Sequence, residues 1–321
     1  MRPLKFHPIL KQTLWGGERI IPYKELASGL SRVGESWELS GMPGSESVVA
    51  EGPWAGSTLS ELIGRAELLG KANYARFGQE FPLLVKFIDA REDLSIQVHP
   101  DDELARKRHG KSGKCEMWYV LEAEPGASLL TGFSRPIAPA EYERRVADNT
   151  LTDVLNRQAI ASGDVFYLPA GRVHSIGKGS FIVEIQQSSD ITYRIYDFDR
   201  RDAAGNSREL HTELAREAID FESSENSRIT YAPENNQEVR LVTTPYFTTS
   251  LYTLTARTRC DWSATDSFVA IVLLQGSGSL TDNEGNRIDV RQGETWLLPA
   301  STQWTEITPH TAPLRLLTSR I

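Results

Sequence analysis

Short apolar runs of strand length, broken by glycine, dominate the hydrophobic pattern of this chain. Leu83-Leu84-Val85-Lys86-Phe87-Ile88 is nearly unbroken and predicts a buried strand. Leu94-Ser95-Ile96-Gln97-Val98-His99 alternates with period two, which places Ser95, Gln97 and His99 on one face. Glu116–Leu121, Val165–Leu168, Phe181–Gln186 and Thr192–Tyr196 follow as further strands. Phe268–Leu274, Gly278–Leu280 and Thr295–Leu298 repeat the pattern late in the chain. Many short strands with glycine-bearing turns predict a mainly β fold, a sandwich or barrel.

Helical signals are fewer. Thr58–Ile63 opens with Thr58 or Ser60 as cap. Pro100–Lys107 runs from acidic to basic residues, which suits the helix dipole. The stretch from about 138 to 157 reads as a small helical insertion, and Leu210–Ile219 as another helix. The polar runs Glu222–Ser227 and Pro233–Gln237 read as linker, which predicts one unit over 1–225 and a second over 238–321.

Two stretches match each other. Gly163-Asp164-Val165-Phe166-Tyr167-Leu168-Pro169-Ala170 and Gly293-Glu294-Thr295-Trp296-Leu297-Leu298-Pro299-Ala300 share Gly, acid, any, aromatic, any, Leu-Pro-Ala. The first continues to His174; the second continues to Trp304 without a histidine. A duplicated scaffold with one live metal site and one degenerate copy is the expectation.

Composition adds limits. The 321 residues are 40% hydrophobic and 24% charged, ample for a core, and the net charge of −8 offers no footprint for nucleic acid or an anionic membrane. Two cysteines make no disulfide framework. The N-terminus lacks an apolar run of signal-peptide length, and no stretch approaches the roughly 20 residues of a membrane span. A cytoplasmic protein, monomeric or homodimeric, is expected.

Imidazoles and a carboxylate on neighbouring strands are what a first-row divalent metal needs. His99 and His174 each stand at a strand or turn that can converge with Glu116, and Gln97 can add a weaker oxygen. His7, His109, His211 and His310 read as ordinary histidines. Trp118, Trp262 and Trp296 read as core, while Trp15 beside Gly16-Gly17 is open to stacking on a ligand.

Five segments, in order, resemble the type I mannose-6-phosphate isomerases, a bicupin zinc enzyme family, in its short bacterial form. They are Trp15-Gly16-Gly17 with Gly34-Glu35-Ser36-Trp37-Glu38, then Leu94–Asp101, Gly113–Tyr119, Pro169–His174 and Ser188–Arg194. The resemblance implies two cupin-like jelly-roll barrels and one zinc ion held by His99, Glu116, His174 and Gln97. It implies Arg194 as catalytic arginine, Glu184 as an active-site glutamate and Lys114 as a pocket lysine, with Ser95 and Lys86 near the substrate. Longer eukaryotic members place an aromatic hydroxyl where Ile176 stands, and a lysine beyond the arginine where Arg200 is the nearest cation. Arg200 is therefore the candidate for the phosphate.

The implied reaction interconverts mannose 6-phosphate and fructose 6-phosphate through a cis-enediol. Zinc would act as Lewis acid, Arg194 would stabilise the developing oxyanion, and Glu184 or Lys114 would move the proton. Glu184 is preferred as base because burial raises a carboxylate's pKa; its simplest alternative is an ion pair with Arg194. Arg200-Arg201-Asp202 can equally be a solvated turn. Two other readings are a sugar-phosphate binding or regulatory protein without turnover and a metal-dependent oxygenase. The retained ligand set argues against the first, and the cations beside it against the second.

Overall fold

The computed structural model describes residues 1–202, 204–222 and 226–321. Among these, the strands pair into four sheets. A seven-stranded sheet runs in the order Arg228–Ile229, Val165–Leu168, Glu116–Ala123, Ser180–Gln187, Leu83–Ala90, Ile9–Gly17, Val33–Leu39. A five-stranded sheet packs against it in the order Tyr193–Tyr196, Ile96–Val98, His174–Ile176, Ser128–Phe133, Leu155–Ala159. Ile88, Trp118, Val120 and Ile182 from the first meet Leu129 and Ile176 from the second in one buried cluster. The C-terminal part repeats this architecture with a six-stranded and a four-stranded sheet, filled by Leu254, Ile271, Trp296, Leu280, Val290 and Ile307.

The unbroken apolar run over residues 83–88 has a physical reason. Alternate residues Leu83, Val85 and Phe87 join Val183 and Ile185 in a core shared with Val272, Leu297 and Leu317 of the C-terminal sheets. The opposite face of the same strand points into the N-terminal sandwich, where Lys86 and Ile88 line a cavity. A strand with both faces covered keeps no polar alternation. The one charged residue in the run, Lys86, marks the cavity.

The helix Leu59–Ile63 starts at Thr58, which forms a capping box with Glu61, and Asp102–His109 is capped by the Asp101 side chain. The expected insertion is helical over Pro139–Ala147 and Leu151–Val154, but Leu155–Ala159 is a strand paired with Ser128–Phe133. With the helix Thr212–Ala218 it covers the outer face of the five-stranded sheet through Tyr142, Leu151 and Ala215.

Both matching stretches build the same corner. Gly163 and Gly293 take φ of +90° and +79°, a region open to glycine. Asp164 accepts from Ala161 N and pairs with Arg228; Glu294 accepts from Arg291 N and pairs with Lys5. Lys5 belongs to a strand, Leu4–Lys5, that hydrogen-bonds to Thr295–Leu298, so the start of the chain joins the C-terminal sheets. Arg228–Ile229, by contrast, extends the N-terminal sheet. Ser223, Ser224 and Glu225 of the expected linker lie outside the described residues. No helix among the described residues is long and apolar enough to cross a membrane. Both cysteines are free and buried.

Candidate metal centre and active site

Strand register brings the site together as two facing rungs. In the five-stranded sheet Gln97 pairs with Arg194 on one side and His174 on the other. In the seven-stranded sheet Trp37, Lys86, Glu184 and Trp118 lie side by side on four adjacent strands. Glu116 stands two residues before Trp118 and so shares its inward face. Between the rungs is a cavity of about 150 Å³ whose lining includes Lys86, Ser95, Gln97, Lys114, Glu184 and Arg194.

Behind Gln97 and Lys114 of that lining, His99, Glu116 and His174 are all buried and offer ligand atoms within 4.8 Å of one another. Each imidazole is oriented by its other nitrogen: His99 Nδ1 lies 2.8 Å from Ile191 O, and His174 Nδ1 2.8 Å from Arg172 O. In the tautomer that donates to those carbonyls, each Nε2 is the nitrogen left to act as ligand, and it is aimed at Glu116, 3.6 Å away for His99 and 3.2 Å for His174. Among the described residues, His99 Nε2 and Glu116 Oε1 are buried without a well-formed hydrogen bond, while Glu116 Oε2 faces the Lys114 ammonium at 2.9 Å. Buried acceptors left bare are costly unless something electropositive meets them. The Gln97 amide lies 3.3 Å from His174 Nε2, where a half-turn of the amide presents its oxygen instead.

The protonation states agree. Burial, then the Lys114 charge, holds His99 well below its usual pKa, so its imidazole is neutral. Burial pushes the Glu116 carboxyl up, but the Lys114 charge beside it leads the opposing effects and the group is held well below the usual carboxylate range. A neutral imidazole beside an anionic carboxylate is the form in which these groups bind a cation. The residues fit a divalent metal.

Around this centre the structure distributes the remaining candidates. Lys114 is buried, with Nζ 2.9 Å from Glu116 Oε2. Glu184 is paired with Lys86 at 3.0 Å, not with Arg194, and its second oxygen accepts from Trp118 Nε1 at 2.9 Å. Burial opposes the Lys86 charge, but Glu184 and Glu35 more than offset it and raise that ammonium above its ordinary range. Arg194 donates to Glu209 O at 2.9 Å, while its buried Nε has no partner among the described residues. Burial, then the neighbouring Arg208, pulls the Arg194 guanidinium below its usual value. Ser95 lines the cavity as expected.

Arg200 is placed elsewhere. Its guanidinium donates to Asp93 O and lies 3.6 Å from Asp197, and the cavity lining does not include it. Arg208 takes that position instead, held by Asp197 through Nε at 2.7 Å. Nothing local in the sequence marks Arg208, which stands in a polar segment 14 residues beyond Arg194. Glu35 and Thr192 also line the cavity; Glu35 falls inside the Gly34–Glu38 motif, to which no role was attached. Trp15 lines it too; next to it, a Cβ on Gly16 would stand 2.3 Å from Arg32 O and 2.6 Å from Gly34 N, so glycine is what lets this strand pass the backbone of its neighbour. Trp118, Trp262 and Trp296 are core.

Comparison with known proteins agrees with this geometry. Residues 4–130 match the family model described as phosphomannose isomerase type I, catalytic domain. The chain is 34% identical to mannose-6-phosphate isomerase ManA of Bacillus subtilis over 302 residues, which covers 92% of this chain and 93% of that protein. It is also 34% identical to the mannose-6-phosphate isomerase of Streptococcus mutans, with 92% of each chain covered. The crystal structure of mannose 6-phosphate isomerase from Bacillus subtilis superposes with a TM-score of 0.90 at 30% identity over the full length of both chains. A phosphomannose isomerase structure from Salmonella typhimurium shares the fold, with a TM-score of 0.78 at 16% identity and 99% of each chain covered. With full-length relatives at this identity, a common fold and a His-Glu-His centre at the matching motifs, the chain belongs to the type I mannose-6-phosphate isomerase family.

Proposed function

We propose that this chain is a zinc-dependent, cytoplasmic aldose–ketose isomerase that interconverts D-mannose 6-phosphate and D-fructose 6-phosphate through a cis-enediol. One observation carries the reading: the buried ligand atoms of His99, Glu116 and His174 lie within 4.8 Å of one another, in contact with Gln97 and Lys114, which line a cavity together with Arg194. The full-length relatives bear the name of that activity. His99, Glu116, His174 and the Gln97 amide form a nitrogen and oxygen set that suits zinc. When bound, the ion supplies Lewis-acid polarisation of the sugar's carbonyl and hydroxyl oxygens.

The chain's own residues do the rest. Arg194 offers a fixed charge to the oxygen that becomes anionic as C2 loses its proton. We assign the proton transfer to Lys114 in preference to Glu184. Both Glu184 oxygens already accept, from Lys86 and Trp118, whereas Lys114 contacts only the Glu116 carboxylate at the reacting end. The Glu184–Lys86 pair and Ser95 then orient sugar hydroxyls, with Trp15 as a wall. Arg208 faces the phosphate, and Arg200 pairs with the same Asp197 that holds Arg208.

The test is a coupled assay with mannose 6-phosphate before and after chelation, with metal content measured on the same samples. Activity should vanish with the metal and return on adding zinc, and His99→Ala should lose both together. Undiminished turnover in exhaustively demetallated protein would end the proposal.

A further inference from the structure

The loop that carries Lys114 is pinned from behind by residues that touch neither the metal ligands' donor atoms nor the cavity. Three successive amides each have an acceptor. Gly113 N donates to Asp102 Oδ1 at 2.8 Å, Lys114 N to Pro100 O at 3.1 Å, and Cys115 N to Gln187 Oε1 at 2.8 Å. Gln187 Nε2 closes the set by donating to the same Asp102 oxygen at 3.0 Å. Asp102 opens the helix that follows His99-Pro100, and Gln187 ends the strand that carries Glu184. The clamp therefore ties the Lys114 loop to the helix start that follows His99 and to the strand that carries Glu184. A Cβ on Gly113 would stand 2.5 Å from the Asp101 carbonyl carbon, so the loop packs directly on that helix start. Asp102 and Gln187 face a separate cleft on the far side, together with Arg76, Phe77 and Tyr246.

We propose that Asp102 and Gln187 are positioning residues for the isomerisation: their linked side chains hold the Gly113–Cys115 amides and so fix Lys114 over the reacting carbons. This rests on the role given to Lys114 above. The polarity is specific. A carboxylate at 102 accepts from the 187 amide, whose own oxygen accepts from Cys115 N. Gln187→Glu sets two carboxylates against each other and opens the clamp. Adding Asp102→Asn removes the like charge: an amide nitrogen in the place of the shared Oδ1 can donate to the new carboxylate, which restores the link between 102 and 187 and the Cys115 acceptor, while the bond from Gly113 N is given up.

The experiment compares the parent, Gln187→Glu and Asp102→Asn/Gln187→Glu as metal-loaded proteins. Misplacing a reacting group by about 1 Å costs up to about a hundredfold in rate. Gln187→Glu should therefore lower kcat at least about tenfold, with KM, bound metal and Tm held near the parent's, and the double variant should recover to within about threefold. Hydrogen exchange at the Cys115 amide should speed up in the single variant and slow again in the double. Unchanged exchange in Gln187→Glu, no rescue by Asp102→Asn, or a loss that follows metal content or Tm would overturn the proposal. Exchange reads the clamp without turnover, so an inactive parent would refute the proposed activity while the clamp is still decided.

Discussion

Lys86→Met tests the buried charge pair at the wall of the cavity. Lys86 and Glu184 side chains are 9% and 4% exposed and meet at 3.0 Å. Removing the ammonium leaves Glu184 Oε1 without a donor, with only Trp118 Nε1 on the other oxygen. Breaking one partner of a buried pair costs about 3–5 kcal/mol, because a lone charge remains in a poor solvent for it. This pair borders a cavity that water can enter, so we expect the lower end, about 3 kcal/mol. Lys86→Met/Glu184→Gln carries no charge, and its amide can still accept from Trp118. It should lose only about 1 kcal/mol, the net worth of an ordinary hydrogen bond. Urea unfolding of metal-free protein, followed by tryptophan fluorescence and extrapolated linearly, measures both. The reasoning fails if Lys86→Met is within about 1 kcal/mol of the parent, or if the double variant is no more stable than the single.

Arg194→Ala should lower kcat by about a hundred- to a thousandfold, the usual loss on removing one oxyanion donor, while bound zinc stays at the parent level; unchanged turnover removes Arg194 from the chemistry. Arg208→Ala should raise KM for mannose 6-phosphate by about tenfold or more, the worth of one hydrogen bond to a charged group, and Arg200→Ala should change KM far less. Equal effects would show that both guanidiniums reach the phosphate. Metal-free protein should lose stability on acidification. Because burial and then Lys114 hold folded His99 well below 6.5, the unfolded chain binds a proton as pH falls through about 6.5 and the folded chain does not, at about 1.4 kcal/mol per pH unit. Glu116 is held low in the fold, so its contribution is present above its unfolded value near 4.5 and is lost on further acidification. Denaturation midpoints that stay flat from pH 7 to 5 would contradict this.

His99, Glu116 and His174 were legible in sequence as candidate ligands because each sits in a locally patterned segment. Gln97 and His99 share a face by the period of two, Glu116 opens a strand, and His174 follows a turn built by glycine and proline. The same locality made most strands readable, and the matching corners at Gly163 and Gly293 as well. Tertiary structure decided what depends on register and on distant chain. Glu184 meets Lys86 in place of Arg194 because the two strands pair with those residues opposite one another, a register no local pattern specifies. Arg208 reaches the cavity, and Arg200 does not, because buried Asp197 grips Arg208 through Nε and holds Arg200 beside Asp93. Leu4–Lys5 joins the C-terminal sheet across nearly the whole chain, and a strand of two residues carries too little pattern to announce such a partner. Residue type and spacing thus determined which atoms could bind a cation; cross-strand pairing decided which charges stand beside them, since that choice is made by long-range packing and not by neighbours in sequence.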